Sequence, residues 1–381
     1  MNVIVGTRHL VAGTFTALDC QGREQLVIIA KAAWRVPLPG QRPQPVAPSP
    51  LVATDLHIGE PGISAMLYGS DFVRFKPRCD VLFNASAHSP DGQPVRELPV
   101  VWQVGPLKKG IRVLGPRAWR KRLGRLGLSE PGLFTSQPLH YGLAYGGTRE
   151  YETGKGDKKQ LLTEALLTNP IGVGWAGKHT LKQLAGSPAP SLEALEQPIR
   201  KPGGPYEPVA CSAVGRHWLP RRDYAGTYDA QWQEEVFPLL PADFDERFNQ
   251  CAPPDQQMDY PHGGEQVVLR NMLPGRDDVR FMLPRLDGLK LRVLRTDHSV
   301  EEPSPVVDTL YFELDDPDGP RFSAIWRASV PIRRRIQEFD TVALGPVNSQ
   351  WWRDKVLGLG SDGCAGCGPA SAPTEQEALP T

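Results

Sequence analysis

The sequence lacks a net charge, a long apolar run and a recognisable secretion signal, and each absence narrows the class of protein. Its 381 residues include 43 basic and 43 acidic ones, for a formal net charge of zero, so chain-wide attraction to nucleic acid or an anionic membrane is not expected. No run of about 18 apolar residues occurs, so we predict no membrane-inserted helix. Residues 1–20 lack a basic stretch followed by an apolar one, and we therefore predict a cytoplasmic protein.

The sequence also lacks the patterns of common catalytic, nucleotide and metal sites. No G-x-S-x-G segment occurs, no Gly-rich segment lies on a predicted strand-to-helix turn, and no two of the eight histidines are four residues apart. Cys364 and Cys367 form a single C-x-x-C pair, which offers two of the four ligands that a structural zinc site needs. The other four cysteines are isolated, which is typical of thiols in a reducing compartment. We therefore predict no metal, no cofactor and no enzymatic activity.

Short apolar runs separated by Gly and Pro are what the sequence has in abundance. The chain contains 38 Gly and 39 Pro among 381 residues, or about 10% of each, against an average usage of roughly 7% and 5%. Many of the apolar runs alternate with a period of two residues. We predict a mainly β fold in which antiparallel sheets pack as a sandwich-like core, with long ordered loops and a few short helices. One domain is expected over residues 1–360, strand-rich at 1–140 and 266–360 and irregular at 141–265, followed by a disordered tail at 361–381.

Individual elements follow from the same patterns. The clearest strands are predicted at residues 26–36, 72–76, 81–87, 98–105, 111–115, 266–272, 279–283, 289–295, 306–314 and 322–330. The last two flank the turn sequence DDPDGPR and are predicted to form a hairpin. Helices are predicted at 158–167 and 191–197, with 332–344 as a third candidate.

The most informative segment is 216–265, which is long, irregular and rich in aromatic residues. Structureless loops of more than roughly 12–15 residues are uncommon in compact domains, and disordered segments are poor in aromatics, so we predict an ordered segment held by turns. Trp, Tyr and Arg are also enriched where proteins bind one another. The residues predicted to bind a partner are Trp218, Arg221, Arg222, Tyr228, Asp229, Trp232, Asp243 and Phe244. In the alternative interpretation, such side chains fasten the segment to the sheet, and both roles are open for different residues.

Two further patterns have competing interpretations. Asp243 and Asp245 suit paired acid–base chemistry, so a carboxylate-based hydrolase is one alternative function, whereas a helix-capping role for Asp243 is the structural interpretation. A carbohydrate-binding β-protein is another alternative, because Trp and Tyr also form platforms for sugars. Residues 107–125 contain eight basic residues and no acidic one. We interpret them as a solvated face or a docking patch for an acidic protein rather than a nucleic-acid site.

Seven segments, taken together and in order, resemble the adaptors associated with type VI secretion, catalogued as the domain of unknown function 2169 family. The matching segments are SDFVRFKPRCDVLFNASAHSPDGQPV (70–95), K-x-IRVLGPRAW (109–119), PLHYGLAYGG (138–147), NPIGVGW (169–175), WLPRRDYAGTYDAQW (218–232), PLLPADFDERFNQCAPPDQQ (238–257) and GGEQVVLRNMLP (263–274). The resemblance covers about 70–284. It departs from the family at Cys79, where a small polar residue is usual, and it is weak over 117–137 and 176–210.

The resemblance implies a bacterial cytosolic adaptor, or chaperone, rather than an enzyme. Such a protein binds a toxic effector before export and helps load it onto the spike, which is built from the valine-glycine repeat protein. A proline-alanine-alanine-arginine tip domain is a further partner that the resemblance implies. Neither nucleic acid nor membrane insertion is expected.

Overall fold

The backbone is mainly β, as the period-two pattern predicts, and it is described by a computed structural model over residues 1–122, 124–154, 159–177 and 184–359. Cys364, Cys367 and the predicted tail at 361–381 lie outside the described residues. The first part of the chain forms strands β1 (Asn2–Val5), β2 (Leu10–Leu18), β3 (Glu24–Arg35), β4 (Gln44–Val46), β5 (Leu56–His57), β6 (Met66–Tyr68), β7 (Cys79–Asn84), β8 (Ser86–His88), β9 (Glu97–Val104), β10 (Leu107–Leu114), β11 (Arg117–Arg122), β12 (Arg125–Leu128) and β13 (Ser136–Pro138).

The remaining strands fall into two groups on either side of a long irregular segment. The first group is β14 (Tyr145–Gly146), β15 (Thr148–Thr153), β16 (Gln160–Ala165), β17 (Val173–Gly174), β18 (Pro188–Ala189) and β19 (Leu192–Ala194). The second is β20 (Gln257–Met258), β21 (Gln266–Arg270), β22 (Asp278–Met282), β23 (Leu291–Arg295), β24 (Val300–Glu301), β25 (Val306–Glu313), β26 (Arg321–Pro331) and β27 (Phe339–Leu344).

Short helices connect the strands. They are 3₁₀ turns at Pro90–Gly92, Tyr141–Leu143, Arg221–Tyr224, Glu246–Asn249, Pro254–Gln256 and Ile336–Glu338, a π-helix at Trp232–Val236, and the α-helix α1 at Ser349–Val356. Within the described ranges, no helix is long and apolar enough to cross a membrane.

Two large sheets face each other around the main core. A seven-stranded sheet has the order β2-β3-β26-β25-β7-β20, with β4 beside β3, and a five-stranded sheet has the order β19-β10-β9-β21-β22. Most neighbours are antiparallel, and the predicted hairpin is confirmed as β25 and β26, whereas β25 and β7 run parallel. A four-stranded sheet, β1-β27-β23-β24, closes one side of the same core.

A row of four aromatic side chains crosses the seven-stranded sheet on its core face. Trp34, Phe322, Phe312 and Phe83 occupy cross-strand positions on β3, β26, β25 and β7. Their neighbouring ring centroids lie 5.6, 5.6 and 4.8 Å apart, within the range of stabilising aromatic contacts. Trp102 of the five-stranded sheet covers Phe83 at 4.8 Å, so this row joins the two sheets.

The opposite face of the seven-stranded sheet buries charged side chains in pairs. Lys76 Nζ lies 2.9 Å from Asp80 Oδ2 and donates to Thr309 Oγ1 at 2.8 Å. Burial alone lowers the pKa of Lys76, but the charge of Asp80 outweighs it and raises that pKa above its ordinary value. Arg327 pairs with Asp308 in the same way at 2.5 Å. Each pair is fully enclosed, so removing one partner would leave a buried charge uncompensated.

The buried pairs also fix the irregular segment to the sheet. Asp80 accepts hydrogen bonds from Gln250 Nε2 at 2.6 Å and from the backbone N–H of Cys251 at 2.7 Å. Gln256 is fully buried; its amide donates to the carbonyls of Val81 and Cys211, at 2.7 and 3.1 Å. These contacts hold residues 250–256 against β7, and they position one wall of the surface described below.

Several predicted elements are wrong, and pairing with a neighbour explains each. The helix predicted at 158–167 is strand β16, paired with β15, and the helix at 191–197 is β19, paired with β10. Residues 332–344 form a 3₁₀ turn followed by β27, which lies between β1 and β23. The strand predicted at 72–76 is irregular, because its polar side chains and carbonyls contact the buried pairs instead of a neighbouring strand. The helical preference of Leu, Lys and Glu is weak enough for tertiary pairing to override it.

Replacing Phe83 by alanine should cost about 3–5 kcal/mol of unfolding free energy, because the change opens a cavity between the two sheets. The measurement is urea unfolding followed by circular dichroism. Phe237, which is 67% exposed, offers the matched control, and Phe237→Ala should change stability by only about 0.5 kcal/mol. Equal losses in the two variants would contradict this description of the core.

Candidate protein-binding surface

Residues 227–243, hereafter the arm, leave and rejoin the body at one point. The backbone N–H of Thr227 donates to Asp243 Oδ1 at 2.9 Å, and the Thr227 hydroxyl donates to Oδ2 at 2.7 Å. Just outside these contacts, the N–H of Asp245 donates to the carbonyl of Tyr224 at 3.0 Å. Gly226 has φ +82°, and a Cβ there would lie 2.9 Å from Asp243 Oδ1, so the base of the arm requires glycine.

Inside the arm, Trp232 organises an irregular backbone. Its N–H donates to the carboxylate of Asp229 at 2.8 Å, and its indole N–H donates to the carbonyl of Leu239 at 3.0 Å. The rings of Tyr228 and Phe237 meet it edge-to-face at 4.7 and 5.7 Å. The arm is therefore an ordered element without strands, as the aromatic content of the sequence predicts.

The arm exposes large apolar side chains that an isolated soluble protein normally keeps inside. Tyr228 is 54% exposed, Phe237 67% and Leu239 41%, and Trp232 is half-buried between them. Neighbouring exposed apolar residues are a recognised mark of a protein–protein contact. Because the ring contacts hold these side chains in place, little conformational freedom would be lost on binding.

The charged side chains of the arm and of the residues next to it in sequence are all acidic. From Asp223 to Glu246 the sequence contains seven acidic residues and no basic one. Three of the seven contact an arginine of the body: Asp223 with Arg222, Asp245 with Arg247, and Glu246 with Arg74. Asp229, Glu234, Glu235 and Asp243 form no ion pair within the described ranges. The surface is thus apolar with acidic side chains around it.

A groove of about 500 Å³ lies beside the base of the arm. Its walls are residues 207–209, 219–221 and 252–255, together with Tyr141 and Tyr224. Arg247 stacks on the ring of Tyr224 at 4.2 Å and forms an ion pair with Asp245 at 2.6 Å. The lining combines proline, valine and tyrosine with the charged residues Glu207, Asp255, Arg221 and Arg247, so it suits an extended segment with both apolar and polar side chains.

The structure separates the predicted partner-binding residues into exposed and buried ones. Arg222, Tyr228, Asp229 and Asp243 are exposed, and Trp232 and Phe244 are half-buried. For these six, partner binding stays a prediction. Trp218 and Arg221 are buried, at 2% and 3% exposure, although Arg221 also lines the groove, and for these two as well partner binding stays a prediction.

The two buried residues support the surface from beneath. Trp218 meets the ring of Tyr141 edge-to-face at 5.6 Å. Arg221 donates to the carbonyls of Val214 and Phe248, both at 2.8 Å. These contacts correspond to the alternative interpretation, in which aromatic and arginine side chains fasten the irregular segment to the body.

Phe237 belongs to the aromatic set of 216–265 but is not among the eight residues predicted to bind a partner, and sequence reasoning did not consider Leu239; both are exposed apolar side chains of the arm. The available signal was their position beside Pro238 and inside a stretch without basic residues. The groove was missed altogether, because its walls come from segments far apart in the sequence.

The contacts of Asp243 and Asp245 favour a structural role over acid–base chemistry. The backbone N–H and then the hydroxyl of Thr227 hold the pKa of Asp243 below its usual range. The hydrogen bonds from Arg247 do the same for the pKa of Asp245. A general acid needs the opposite shift. The predicted helix-capping role falls two residues later, because Asp245, and not Asp243, accepts from the Arg247 N–H at the start of Glu246–Asn249.

Several basic side chains of the segment 107–125 form ion pairs within the protein. Lys109 is buried against Asp255 at 2.9 Å, Arg112 pairs with Glu97 at 3.0 Å, and Arg117 pairs with Glu193. The exposed basic residues of the segment include Lys108, Arg120, Lys121 and Arg125. No group of three or more His, Cys, Asp or Glu side chains is placed to bind a metal ion in the ranges that the structure describes.

Comparison with known proteins identifies a family. A family model described as an uncharacterized protein conserved in bacteria (DUF2169) matches residues 21–327. This range includes the five-stranded sheet, the arm, the groove, and the seven-stranded sheet except for β2 and the last residues of β26. No curated protein and no solved structure matches the chain.

Trp218→Ala should lower the free energy of unfolding by about 3–5 kcal/mol, because it empties a buried site. Trp232→Ala should lower it by less than about 2 kcal/mol, because its contacts lie within the arm. Chemical denaturation of both variants measures the difference. A well-folded Trp218→Ala protein with unchanged stability would refute the supporting role of that residue.

Asp243→Ala should open the arm without unfolding the body, since both hydrogen bonds to Thr227 are lost. The readout is limited proteolysis with chymotrypsin, which cleaves after Tyr228 and Trp232, and cleavage should become faster. Asp223→Ala, an exposed acid outside the arm, is the control.

Because the pKa of Asp243 is depressed in the folded state, its stabilisation of the arm is present at neutral pH and is lost as the pH falls below about 4 towards the folded pKa. Amide hydrogen exchange serves as the readout here, because chymotrypsin is inactive in acid, and an arm equally protected at pH 3 and pH 7 after correction for the intrinsic exchange rates would contradict this.

Proposed function

The chain belongs to the DUF2169 family of proteins conserved in bacteria, and from this premise we propose that it is an adaptor, or chaperone, for type VI secretion. In this proposal it binds a cognate effector toxin in the bacterial cytosol. It then helps to load that effector onto the spike formed by the valine-glycine repeat protein, through a proline-alanine-alanine-arginine tip domain. The arm, with exposed aromatic side chains on an ordered backbone, is the observation on which this proposal rests.

The arm has the features of a protein-binding site with few but strong contacts. Tyr and Trp are the residue types most enriched where single side chains dominate binding. Tyr228 and Trp232 are held edge-to-face at 4.7 Å, so they are oriented before a partner arrives. The base at Thr227 and Asp243 fixes the arm to the body. Such an element supplies affinity without a large interface, which suits a partner that must later be released.

The groove extends this surface from the base of the arm. Tyr224 lies in the groove and its carbonyl accepts a hydrogen bond at the base of the arm. A partner that covers the arm therefore has an adjacent groove for a second segment. Two adjacent elements on one rigid body give specificity, because only a partner that matches both gains the full binding energy.

The alternative functions receive less support from the same residues. A hydrolase would need one carboxylic acid held neutral, whereas the pKa values of Asp243 and Asp245 are both lowered. A sugar platform needs an open ring face, whereas Trp232 lies between Tyr228 and Phe237 with its indole N–H bonded to Leu239.

Co-expression of the full chain with candidate effector and spike proteins, chosen from neighbouring genes, tests the proposal. We expect the effector to co-purify with the chain through size-exclusion chromatography. Tyr228→Ser and Phe237→Ser should each weaken the complex by about tenfold or more, as expected for a central contact worth over about 1.4 kcal/mol. Met282→Ser, which changes a 52% exposed apolar residue on β22, should leave it unchanged.

Two outcomes would count against the proposal in different ways. If the well-folded chain binds neither the effector nor the spike, the adaptor function is refuted. If the effector binds but the Tyr228 and Phe237 variants retain full affinity, the function stands and the arm is not the contact surface.

A further inference from the structure

We infer that the arm docks a cationic, amphipathic segment of a partner protein. This inference rests on the proposed function and deepens it by naming the chemistry of the segment that the adaptor recognises. It follows from the juxtaposition of exposed apolar rings with acidic side chains that form no ion pair with any cation among the residues the structure describes.

The unpaired acids define the charge of the partner. Asp229 accepts a hydrogen bond from the backbone N–H of Trp232, and Asp243 accepts one from the backbone N–H of Thr227. Glu235 accepts a hydrogen bond from the side-chain amide of Gln231. None of these donors is charged, so these contacts add no positive charge to the arm. With Glu234, which is exposed, they leave four negative charges on a single short element. A facing lysine or arginine would meet an attractive potential, and an acidic partner a repulsive one.

The exposed apolar side chains define the rest of the partner. Tyr228, Phe237 and Leu239 are each more than two-fifths exposed, which is too much apolar surface for a purely charged ligand to cover. A segment with apolar side chains on one face and basic ones beside them would match both parts. The same charge pattern disfavours nucleic acid and anionic lipid, whose phosphates would be repelled.

A second copy of this chain is the competing occupant. The exposed basic residues Lys108, Arg120, Lys121 and Arg125 lie outside the arm on β10, β11 and β12, and they offer cations to another copy's arm. However, Trp119, the indole between them in sequence, is fully buried, so this patch lacks the exposed ring that an amphipathic match requires. We therefore assign the arm to a different protein.

The test uses the full chain and two fluorescent peptides of equal length, one with leucine and lysine in an amphipathic helical pattern and one with glutamate at every lysine position. Fluorescence anisotropy should show binding of the lysine peptide and none of the glutamate peptide. Affinity should fall steeply between low and physiological salt. Glu234→Gln with Glu235→Gln should weaken binding about tenfold, through the loss of two charge pairs and their field.

Matched variants separate this site from general charge attraction. Glu60→Gln with Glu130→Gln removes the same charge from exposed positions elsewhere and should leave binding unchanged. Phe237→Ser should weaken binding at every salt concentration, because it removes the apolar part. Equal binding of the two peptides, or equal effects of the two glutamate pairs, would overturn the inference. Concentration-dependent self-association that Glu234→Gln and Glu235→Gln abolish would assign the arm to a second copy instead.

The same variants, measured on the co-expressed effector complex, separate failure of this inference from failure of the proposed function. An effector complex that is insensitive to salt and to the loss of Glu234 and Glu235 overturns the inference and leaves the adaptor function standing. Lysine-peptide binding without any effector or spike complex refutes the adaptor function and leaves the docking surface standing.

Discussion

The rest of the structure depends on the buried carboxylate of Asp80. Its oxygens accept hydrogen bonds from Lys76, Gln250 and the backbone N–H of Cys251. One side chain therefore joins β7 to the irregular residues 72–76 and to residues 250–256. A carboxylate with no exposure requires such partners, because an unpaired buried charge is costly. These partners hold residues 250–256, part of which line the groove. Arg221, which donates to the carbonyl of Phe248, continues the contacts towards the base of the arm.

The aromatic residues of this protein are divided between two roles. Trp34, Phe83, Phe312 and Phe322 form a buried row that joins the sheets. Tyr228, Trp232 and Phe237 contact one another in a similar way, yet they do so at the surface, where the ring contacts give order and also leave apolar area uncovered. A rigid sheet framework and an ordered arm together make a surface that is ready to bind without folding first.

The acidic side chains of the arm would favour a basic partner over an acidic one. The chain as a whole is neutral, so any electrostatic attraction of a partner would depend on local charge such as that of the acidic stretch from Asp223 to Glu246. Exposed carboxylates mainly affect the rate of encounter and the rejection of wrong partners, whereas the buried area of the rings governs how long a complex lasts. An adaptor that must capture its cargo and later release it would use both.

The sequence by itself determined the mainly β fold, the β25–β26 hairpin and the existence of an ordered, aromatic segment at 216–265, because period-two runs and turn residues are local signals. It did not determine which short runs become strands: β16 and β19 have helical composition, and only hydrogen bonds to β15 and β10 decide their conformation. Nor did it separate Trp218 and Arg221, which support the surface, from Tyr228 and Phe237, which form it. Burial depends on segments that are distant in sequence, as Tyr141 is from Trp218, and so tertiary structure alone decided which aromatic side chains a partner can reach.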